Sequence, residues 1–339
     1  MAYFKQLGNK VEKLLALFKR EERWLILISA DPDALASASA LKRIMLHKTG
    51  DVRICAINAV SRPDNLAMIR YTNIKLLEYA PELLKQFDRF AIVDSQASHS
   101  PLFKDINFSI VIDHHPLSEC SSVSEFSDIR PDYGATSTMM MEYLHNLGIK
   151  PSKNLATAML FGIKTDTASF QRKFCDADIR AYHYLTKFSD QVTFNAISKS
   201  EMHYRWLAYF AKACQRLKKV GTGHFVFIDR VDNPDVLVGI ADFFMRVYEI
   251  SWVSVAGVYQ DNLIIIFRSC AGRRNLGAFA HKKFGDVGSA GGHKTMARAE
   301  IPVSAIPGFK IERFILNRLL PKSVKQKNES KIVEEADKK

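Results

Sequence analysis

The sequence has little cysteine and no long apolar run. Its five cysteines are odd in number and none is spaced as CxxC, which argues against a disulfide framework and a cysteine-rich zinc site. We expect them to be small buried side chains in a reducing compartment. No apolar stretch reaches the ~18 residues that a membrane helix requires, and the charged N-terminal segment is unlike a signal peptide. These absences predict a cytoplasmic protein with no membrane partner.

The composition is that of a globular protein. The chain has 339 residues, of which 47% are hydrophobic and 25% charged. This excludes a mainly disordered, collagen-like or coiled-coil chain and favours two domains. The 48 Lys and Arg residues outnumber the 36 Asp and Glu residues, for a net charge of +12. Such an excess favours a polyanionic partner, although solubility explains the charge equally well.

The hydrophobic pattern predicts an α/β fold in two domains. In residues 1–190, short apolar runs at 24–28, 52–60, 90–93 and 109–112 alternate with helical spacing at 34–47, 136–146 and 154–162. This alternation is typical of a parallel sheet, whose ligands bind beyond the carboxyl ends of the strands. We expect a linker at 191–205 and a smaller mixed domain at 206–321. The charged tail at 322–339 is predicted to be disordered.

Carboxylates and imidazoles follow the predicted strands of the first domain. Asp31-Pro32-Asp33 follows the first run, Asp94 follows 90–93, and Asp113-His114-His115 follows 109–112. A fourth segment, Thr165-Asp166-Thr167, follows the helix 154–162. Acids gathered at one rim need a compensating charge, and oxygen-rich sites with one or two imidazoles suit Mn²⁺ or Mg²⁺. We therefore expect one or two such ions, which can activate water and neutralise phosphoryl oxygens.

Each of these motifs has a structural explanation when it is taken alone. Asp31-Pro32-Asp33 is typical of a turn and a helix N-cap, and Asp94 could cap a loop. The triplet Asp113-His114-His115 is harder to explain in this way, because it places two adjacent imidazoles at the rim of a sheet. Their combination after predicted strands favours a functional site.

Together the motifs resemble those of the DHH phosphoesterase superfamily, over residues 23–302. The layout is similar to the branch of nanoRNases and phosphoadenosine-phosphate phosphatases. The resemblance implies that Asp31 holds a first metal ion, that a second is held by Asp33, His114 and Asp166, and that Asp94 bridges the two. It assigns His115 to the scissile phosphate and makes His115 and Asp94 the catalytic residues.

The second domain resembles the DHH-associated C-terminal domain. Arg268-Ser269 follows a predicted strand at 263–267, and Gly291-Gly292-His293 follows a glycine-rich loop at 285–292. The resemblance implies that Arg268, Gly291, Gly292 and His293 bind substrate and that the active cleft lies between the domains. A pyrophosphatase is disfavoured, because that branch lacks the Gly-Gly-His loop.

The sequence departs from the superfamily at Leu27. The first motif normally has a histidine there, four residues before Asp31, and leucine cannot ligate a metal. The first metal site is therefore expected to be weakened. Two functions remain open. One is a phosphoesterase, a hydrolase of short oligonucleotides or small nucleotide phosphates that uses metal-activated water. The other is a catalytically degenerate nucleotide or nucleic-acid binder, and either could form a homodimer.

Overall fold

The computed structural model describes residues 3–117, 124–270, 275–306 and 310–320. The chain forms two compact units, divided between Glu201 and Met202. The predicted linker at 191–205 differs from this division, because Gln191–Ser198 form a helix that packs on helices of the first unit. The helix buries Phe194 and Ile197, and this burial holds it to the first unit. The predicted tail at 322–339 lies outside the described residues.

The first unit is built on a parallel six-stranded sheet, as the sequence predicts. Its strands are β1 (Arg23–Ile28), β2 (Asp51–Ala56), β3 (Leu76–Glu78), β4 (Arg89–Val93), β5 (Phe108–Asp113) and β6 (Phe126–Ile129). The helices described in this unit are α1 (Asn9–Ala16), α2 (Pro32–Met45), α3 (Pro63–Thr72), α4 (Pro81–Leu84), α5 (Thr136–Asn146), α6 (Lys153–Asp166), α7 (Asp176–Thr186) and α8 (Gln191–Ser198). Short 3-10 turns cover Ala97–His99 and Pro101–Phe103.

The strand order places a switch point beside β1. The order across the sheet is β3-β2-β1-β4-β5-β6, so the chain extends the sheet first on one side of β1 and then on the other. Open parallel sheets bind ligands at such a point, outside the carboxyl ends of the strands. The segments that follow β1 and β4 are therefore the expected position of a site.

Strand β1 is buried on both faces, which explains its uninterrupted apolar sequence. Trp24, Ile26 and Ile28 pack in the core that includes α2, α5 and α6. Leu25 and Leu27 point to a second apolar cluster, which covers the opposite face. The alternation of side chains along a strand thus divides β1 between two cores.

The second unit contains a mixed six-stranded sheet, which confirms the predicted fold class. Its strands are β7 (Lys218–Val220), β8 (Gly223–Arg230), β9 (Trp252–Tyr259), β10 (Asn262–Ser269), β11 (Ser289–Gly292) and β12 (Met296–Pro302). The helices described here are α9 (Leu207–Arg216), α10 (Asp235–Phe244), α11 (Leu276–Phe284) and α12 (Ile311–Leu319), with 3-10 turns at Tyr204–Trp206 and Val303–Ala305. The sheet order is β11-β12-β10-β9-β8-β7, and only β8 and β9 pair in parallel.

Helices cover both faces of the second sheet. One core contains Val226 and Val255 of the sheet with residues of α9 and α10. The other contains Phe225 and Phe267 with residues of α11 and α12. No helix among the described ranges is long and apolar enough to cross a membrane.

The cysteines only partly meet the expectation that they are buried. Cys55 is buried, Cys175 is half-buried, and Cys214 and Cys270 are exposed. Cys120 lies outside the described residues. The expectation was wrong for Cys214 and Cys270, because Cys214 lies on the outer side of an amphipathic helix and Cys270 follows the end of β10.

Candidate metal centre

The loop after β1 fixes two carboxylates at the start of α2. Pro32 occupies the first turn, and Asp31 is the N-cap residue, whose Oδ1 accepts a hydrogen bond from the Ala34 N–H at 2.9 Å. Asp33 lies in the first turn and is fully buried. The N-cap expected of this motif is therefore present, and it leaves Asp33 available for a second role.

Asp33 is held by the N-terminus of α5. Its Oδ2 accepts a hydrogen bond from the Thr136 N–H at 2.6 Å, and its Oδ1 accepts one from the Ser137 N–H at 2.9 Å. The N-terminus of a helix favours an anion, because its first N–H groups have no partner within the helix. These two N–H groups fix the position of the buried Asp33 carboxylate.

Asp94 follows β4 in a left-handed backbone conformation, with φ of 58°. Asp tolerates this region better than most residues. The Thr136 hydroxyl donates a hydrogen bond to Asp94 Oδ1 at 2.9 Å. Since the N–H of the same threonine binds Asp33, Thr136 positions two carboxylates at once.

His114 faces these carboxylates with one ring nitrogen. Its Nδ1 lies 3.1 Å from the carbonyl oxygen of Tyr133, to which the Nδ1–H donates. Its Nε2 lies 3.0 Å from Asp166 Oδ2 and 3.5 Å from Asp94 Oδ1. This buried Nε2 forms no well-directed hydrogen bond with a described residue, but it pairs with the Asp166 carboxylate. A ring that donates through one nitrogen to a backbone carbonyl and turns the other towards carboxylates is typical of a metal-ligating histidine.

Four of the predicted ligands come together as one group. Ligand atoms of Asp33, Asp94, His114 and Asp166 all lie within 4.8 Å of one another. Three carboxylates and one neutral imidazole are a donor set that suits a hard divalent cation such as Mn²⁺ or Mg²⁺. The residues therefore fit a metal ion, and they are the set that the DHH resemblance assigns to the second metal.

The electrostatics of the protein without metal are those of an uncompensated acidic site. Burial and the charge of Asp166 raise the pKa of Asp31 to about 6 and that of Asp33 to about 7. Burial and repulsion from Asp33 raise the pKa of Asp94 well above its ordinary value. Burial alone would lower the pKa of His114, but the carboxylates of Asp166 and Asp33 outweigh it and raise this pKa to about 9. A divalent cation would stabilise the ionised carboxylates.

Asp31 and Leu27 do not form a comparable group. Asp31 is absent from every cluster of three or more ligand atoms within 4.8 Å among the described residues. The Leu27 side chain is fully buried in the second apolar cluster, between its strand neighbours Cys55 and Ile92. The sequence predicts a weakened first metal site at Asp31. Among the described residues, Asp31 likewise belongs to no group of three closely spaced ligand atoms.

His115 is oriented by Asp113, whose role the sequence analysis missed. His115 Nδ1 lies 2.8 Å from Asp113 Oδ1, and Gln96 Nε2 donates to Asp113 Oδ2 at 2.7 Å. Burial alone would raise the pKa of Asp113, but the hydrogen bonds from His115 and Gln96 outweigh it and lower this pKa. The hydrogen bond that His115 donates to Asp113 raises the pKa of His115. The side chain of His115 is 44% exposed, which leaves it accessible from solvent.

The residues that orient the candidate ligands were also not predicted from the sequence. Tyr133 and Thr136 orient His114 and Asp94, and neither residue was identified as part of the site. The start of a predicted helix at Thr136 was the available signal, because a helix N-terminus near strand ends is an anion site. Gln96 and Tyr133 carried no comparable signal.

The predicted substrate residues of the second unit lie around one cavity. The cavity has a volume of about 470 Å³, and Arg268, Gly291, Gly292 and His293 are among its lining residues. The predicted loop at 285–292 was wrong in its last part, since Ser289–Gly292 form the edge strand β11, paired with β12. The pairing requires glycine at 292, whose φ is +143° and where an added Cβ would lie 2.4 Å from the Met296 carbonyl oxygen.

The end of β11 is fixed against the N-terminus of α11. The Gly277 N–H donates to the His293 carbonyl oxygen at 2.9 Å, and the Leu276 N–H donates to that of Lys294 at 3.0 Å. Arg268 is held by Asp242, with Nε 2.7 Å from Oδ1. The predicted substrate residues are thus part of a defined surface.

Comparison with known proteins identifies the first unit. Residues 24–163 match the DHH family, N-terminal domain. An uncharacterized protein of Methanocaldococcus jannaschii is 33% identical over 301 residues, 88% of this chain and 62% of that protein. A second uncharacterized protein of this organism is 27% identical over 216 residues, 61% of this chain and 63% of that protein. The chain thus spans less than two thirds of the length of these curated relatives.

Two solved structures share the fold. A crystal structure of an exopolyphosphatase-related protein from Bacteroides fragilis is similar with a TM-score of 0.70, over 91% of this chain and 95% of that chain, at 15% identity. The crystal structure of exonuclease RecJ bound to manganese gives a TM-score of 0.51, over 96% and 98% of the two chains, at 16% identity. The motifs, the strand order and the matched residues agree: residues 24–163 of this chain form a DHH family, N-terminal domain.

Proposed function

We propose that this protein is a metal-dependent phosphoesterase that hydrolyses short oligonucleotides or small nucleotide phosphates. The observation that supports this most strongly is the buried Nε2 of His114, which faces a cluster of three carboxylates, those of Asp33, Asp94 and Asp166. A buried group of this kind is costly unless a cation completes it. The DHH family, N-terminal domain and the fold shared with a manganese-bound exonuclease agree with this proposal.

The four ligands give the site its chemistry. A Mn²⁺ or Mg²⁺ ion held by them would supply a Lewis acid and lower the pKa of bound water. Asp94 belongs to this group, with Oδ1 3.5 Å from His114 Nε2. The DHH resemblance implies that Asp94 would also be shared with a first ion. Asp31 would contribute to a second ion only weakly, because Leu27 offers no ligand atom.

His115 is suited to contact the reacting phosphate. Asp113 holds its Nδ1–H, and a ring nitrogen of His115 lies within 4.8 Å of ligand atoms of Asp94 and His114. When the ring is protonated, its Nε2 can donate a hydrogen bond. A hydrogen bond from imidazolium to a phosphoryl oxygen stabilises the charge that develops during hydrolysis. Asp113 and Gln96 act as positioning residues for this contact.

The second-unit cavity is suited to bind the rest of the substrate. Arg268 provides a guanidinium that can pair with a phosphate. Gly291 has open space around its Cα, so an anion can approach the backbone there. The positive charge of the chain agrees with a polyanionic substrate.

The test is hydrolysis of a small panel in the presence of Mn²⁺. The panel comprises a diribonucleotide, a pentaribonucleotide, phosphoadenosine phosphate, a cyclic dinucleotide and pyrophosphate. We expect turnover of a nucleotide substrate that disappears in Asp166→Ala. The matched control is Asp132→Ala, which removes a carboxylate whose side chain is 95% exposed. Full activity of Asp166→Ala would reject the assigned metal ligands.

A second candidate function follows from Leu27. Leu27 is buried among apolar side chains, and Asp31 lies outside the group of four closely spaced ligand atoms; both observations favour a site for one ion. A protein with such a site could bind nucleotides without hydrolysing them. Binding of the panel without turnover, at saturating Mn²⁺, would support this non-catalytic function over the phosphoesterase.

A further inference from the structure

A second cavity lies in the first unit, at the far end of the helices that carry the metal ligands. Its volume is about 330 Å³, and it is lined by the C-terminal half of α2, the end of α3, part of β2 and the start of α6. Asn154 lines the cavity, and α6 rises ~18 Å from there to Asp166 at 1.5 Å per residue. The cavity is therefore separate from the metal centre.

The cavity is positively charged. Lys42, Arg43 and Lys75 line it, and no acidic side chain is among its lining residues. None of the three cations forms an ion pair with any described carboxylate. Asp51 lies near Lys42, but it pairs with Arg53 at 2.8 Å. Burial and the charge of Arg53 lower the pKa of Lys42. An anion in the cavity would relieve this excess of positive charge.

The walls between these cations are largely apolar. Ile54, Ile74 and Leu155 line the cavity, and Leu46 lies at its rim with 45% of its surface exposed. Ile54 and Leu155 are already buried, so an inorganic anion would leave Leu46 and the half-buried Ile74 in contact with water. A ligand with both an anionic group and an apolar or aromatic body would cover them.

The polar part of the wall is fixed before any ligand binds. Ser152 caps α6, since its hydroxyl oxygen accepts a hydrogen bond from the Leu155 N–H. Asn154 Nδ2 donates to the Thr72 carbonyl oxygen at 3.3 Å, which ties the start of α6 to the end of α3. A preformed wall lowers the cost of ordering protein groups on binding.

We propose that this cavity binds a small organic phosphate of the size of a mononucleotide. The phosphate lies between Lys42, Arg43 and Lys75. The base or other planar body lies against Leu46 and Ile74. The cavity volume is at the lower end of the range of small-molecule sites, about 300–1,000 Å³, which fits one nucleotide rather than an oligonucleotide.

The test uses the full chain in EDTA, so that the metal centre contributes no binding. All variants carry Arg268→Gln, which weakens anion binding in the second-unit cavity. Titration calorimetry with adenosine monophosphate should detect one site. We expect Lys42→Gln combined with Lys75→Gln to weaken its affinity at least ~10-fold, by the loss of two charge-assisted contacts. The matched control, Lys85→Gln, removes an exposed cation of the same unit outside the cavity and should leave the affinity unchanged.

Binding of inorganic phosphate distinguishes the contribution of the three cations from that of the apolar wall. Inorganic phosphate should bind at least ~10-fold more weakly than the nucleotide, because it leaves the apolar wall uncovered. Equal affinity for both ligands, or nucleotide affinity unchanged by the double substitution, would overturn the proposal. Thermal unfolding confirms that each variant is folded. Hydrolysis is measured separately with Mn²⁺ and without the Arg268 substitution, so either proposal can fail without the other.

Discussion

The two units hold their candidate binding groups in opposite ways. In the first unit, Asp33 and Asp94 are buried, and backbone N–H groups or a hydroxyl fix them. In the second, Gly292 and His293 are exposed beside an open cavity. A small cation requires closely spaced ligands at fixed positions, whereas a larger anion of variable length requires an accessible surface with donors. The burial of each set thus indicates the kind of ligand that it suits.

The largest effect should come from a substitution among the buried carboxylates of the first unit, Asp33 and Asp94. Asp33→Asn keeps the volume of the side chain but removes a ligand charge and presents an N–H group to α5. We expect Mn²⁺ affinity and hydrolysis to fall by at least ~100-fold, a loss comparable to the strongest effects of altered ligand shells. Calorimetry and the hydrolysis panel measure both. Mn²⁺ affinity within threefold of the unmodified protein would show that Asp33 is no ligand.

The exposed binding groups of the second unit, Gly292 and His293, can be disturbed separately by a substitution at Gly277. An added Cβ would lie 2.2 Å from the Gly292 carbonyl oxygen, so Gly277→Ala must displace the end of β11. We expect KM to rise by roughly 10- to 100-fold, the cost of a displacement of about 1 Å, with unchanged Mn²⁺ affinity. The control is Gly239→Ala in α10, where the nearest atom to the new Cβ is 3.6 Å away. A change in Mn²⁺ affinity in Gly277→Ala would mean that the two sets are not independent.

A smaller effect is expected on the pH dependence of the free energy of unfolding. It tests whether burial shifts the pKa values of the candidate ligands in the first unit. In the folded protein the pKa of Asp33 is raised to about 7. Its ionised carboxylate therefore destabilises the folded state fully above pH 7, and this destabilisation decreases as the pH falls. His114, with its pKa raised from 6.5 to about 9, stabilises fully below pH 6.5 and loses this effect as the pH rises through 9. Both effects have the same sign. The free energy of unfolding in EDTA should therefore decrease from pH 6 to pH 9.

Urea denaturation at several pH values measures this slope. Asp33→Asn should reduce it, and Mn²⁺ should oppose it, because metal binding is favoured when the ligands are deprotonated. A stability in EDTA that rises with pH over this range would contradict the proposed charge state of the cluster.

The smallest effect concerns the incomplete half of the centre. Leu27→His restores the ligand type that the family has at this position, close to Asp31 in sequence. We expect a gain in the affinity for a second Mn²⁺ ion, together with a loss of stability of about 1–3 kcal/mol, because a polar ring replaces a buried apolar side chain. Leu27→Met is the control for packing. One Mn²⁺ per chain in both variants would show that position 27 cannot reach the site.

The sequence predicted the sheet of the first unit well for a physical reason. Strands β1, β4 and β5 are buried on both faces, so they appear as short apolar runs followed by polar residues. The ligands come directly after these runs or at a helix end, and a parallel sheet brings them together. The resemblance to the DHH superfamily implied a role for each of these residues.

Other features left no comparable pattern. The edge strand β11 has the sequence Ser-Ala-Gly-Gly, which is typical of a loop, and only pairing with β12 makes it a strand. The contact of Gln96 with Asp113 joins residues that are 17 positions apart in the chain. Helix α8 was missed because its eight residues are too few to establish a helical period before they pack on α3 and α6. These features arise from tertiary contacts, which a single sequence does not display.

The order in which the chain is synthesised gives one further meaning to the position of Asp166. Three of the four clustered residues lie within the matched region, which ends at residue 163, and Asp166 comes three residues later. All six strands of the first sheet precede Asp166 in the chain, since β6 ends at Ile129. A metal site that includes Asp166 is therefore complete only after the whole of this sheet and the final turn of α6 have been synthesised.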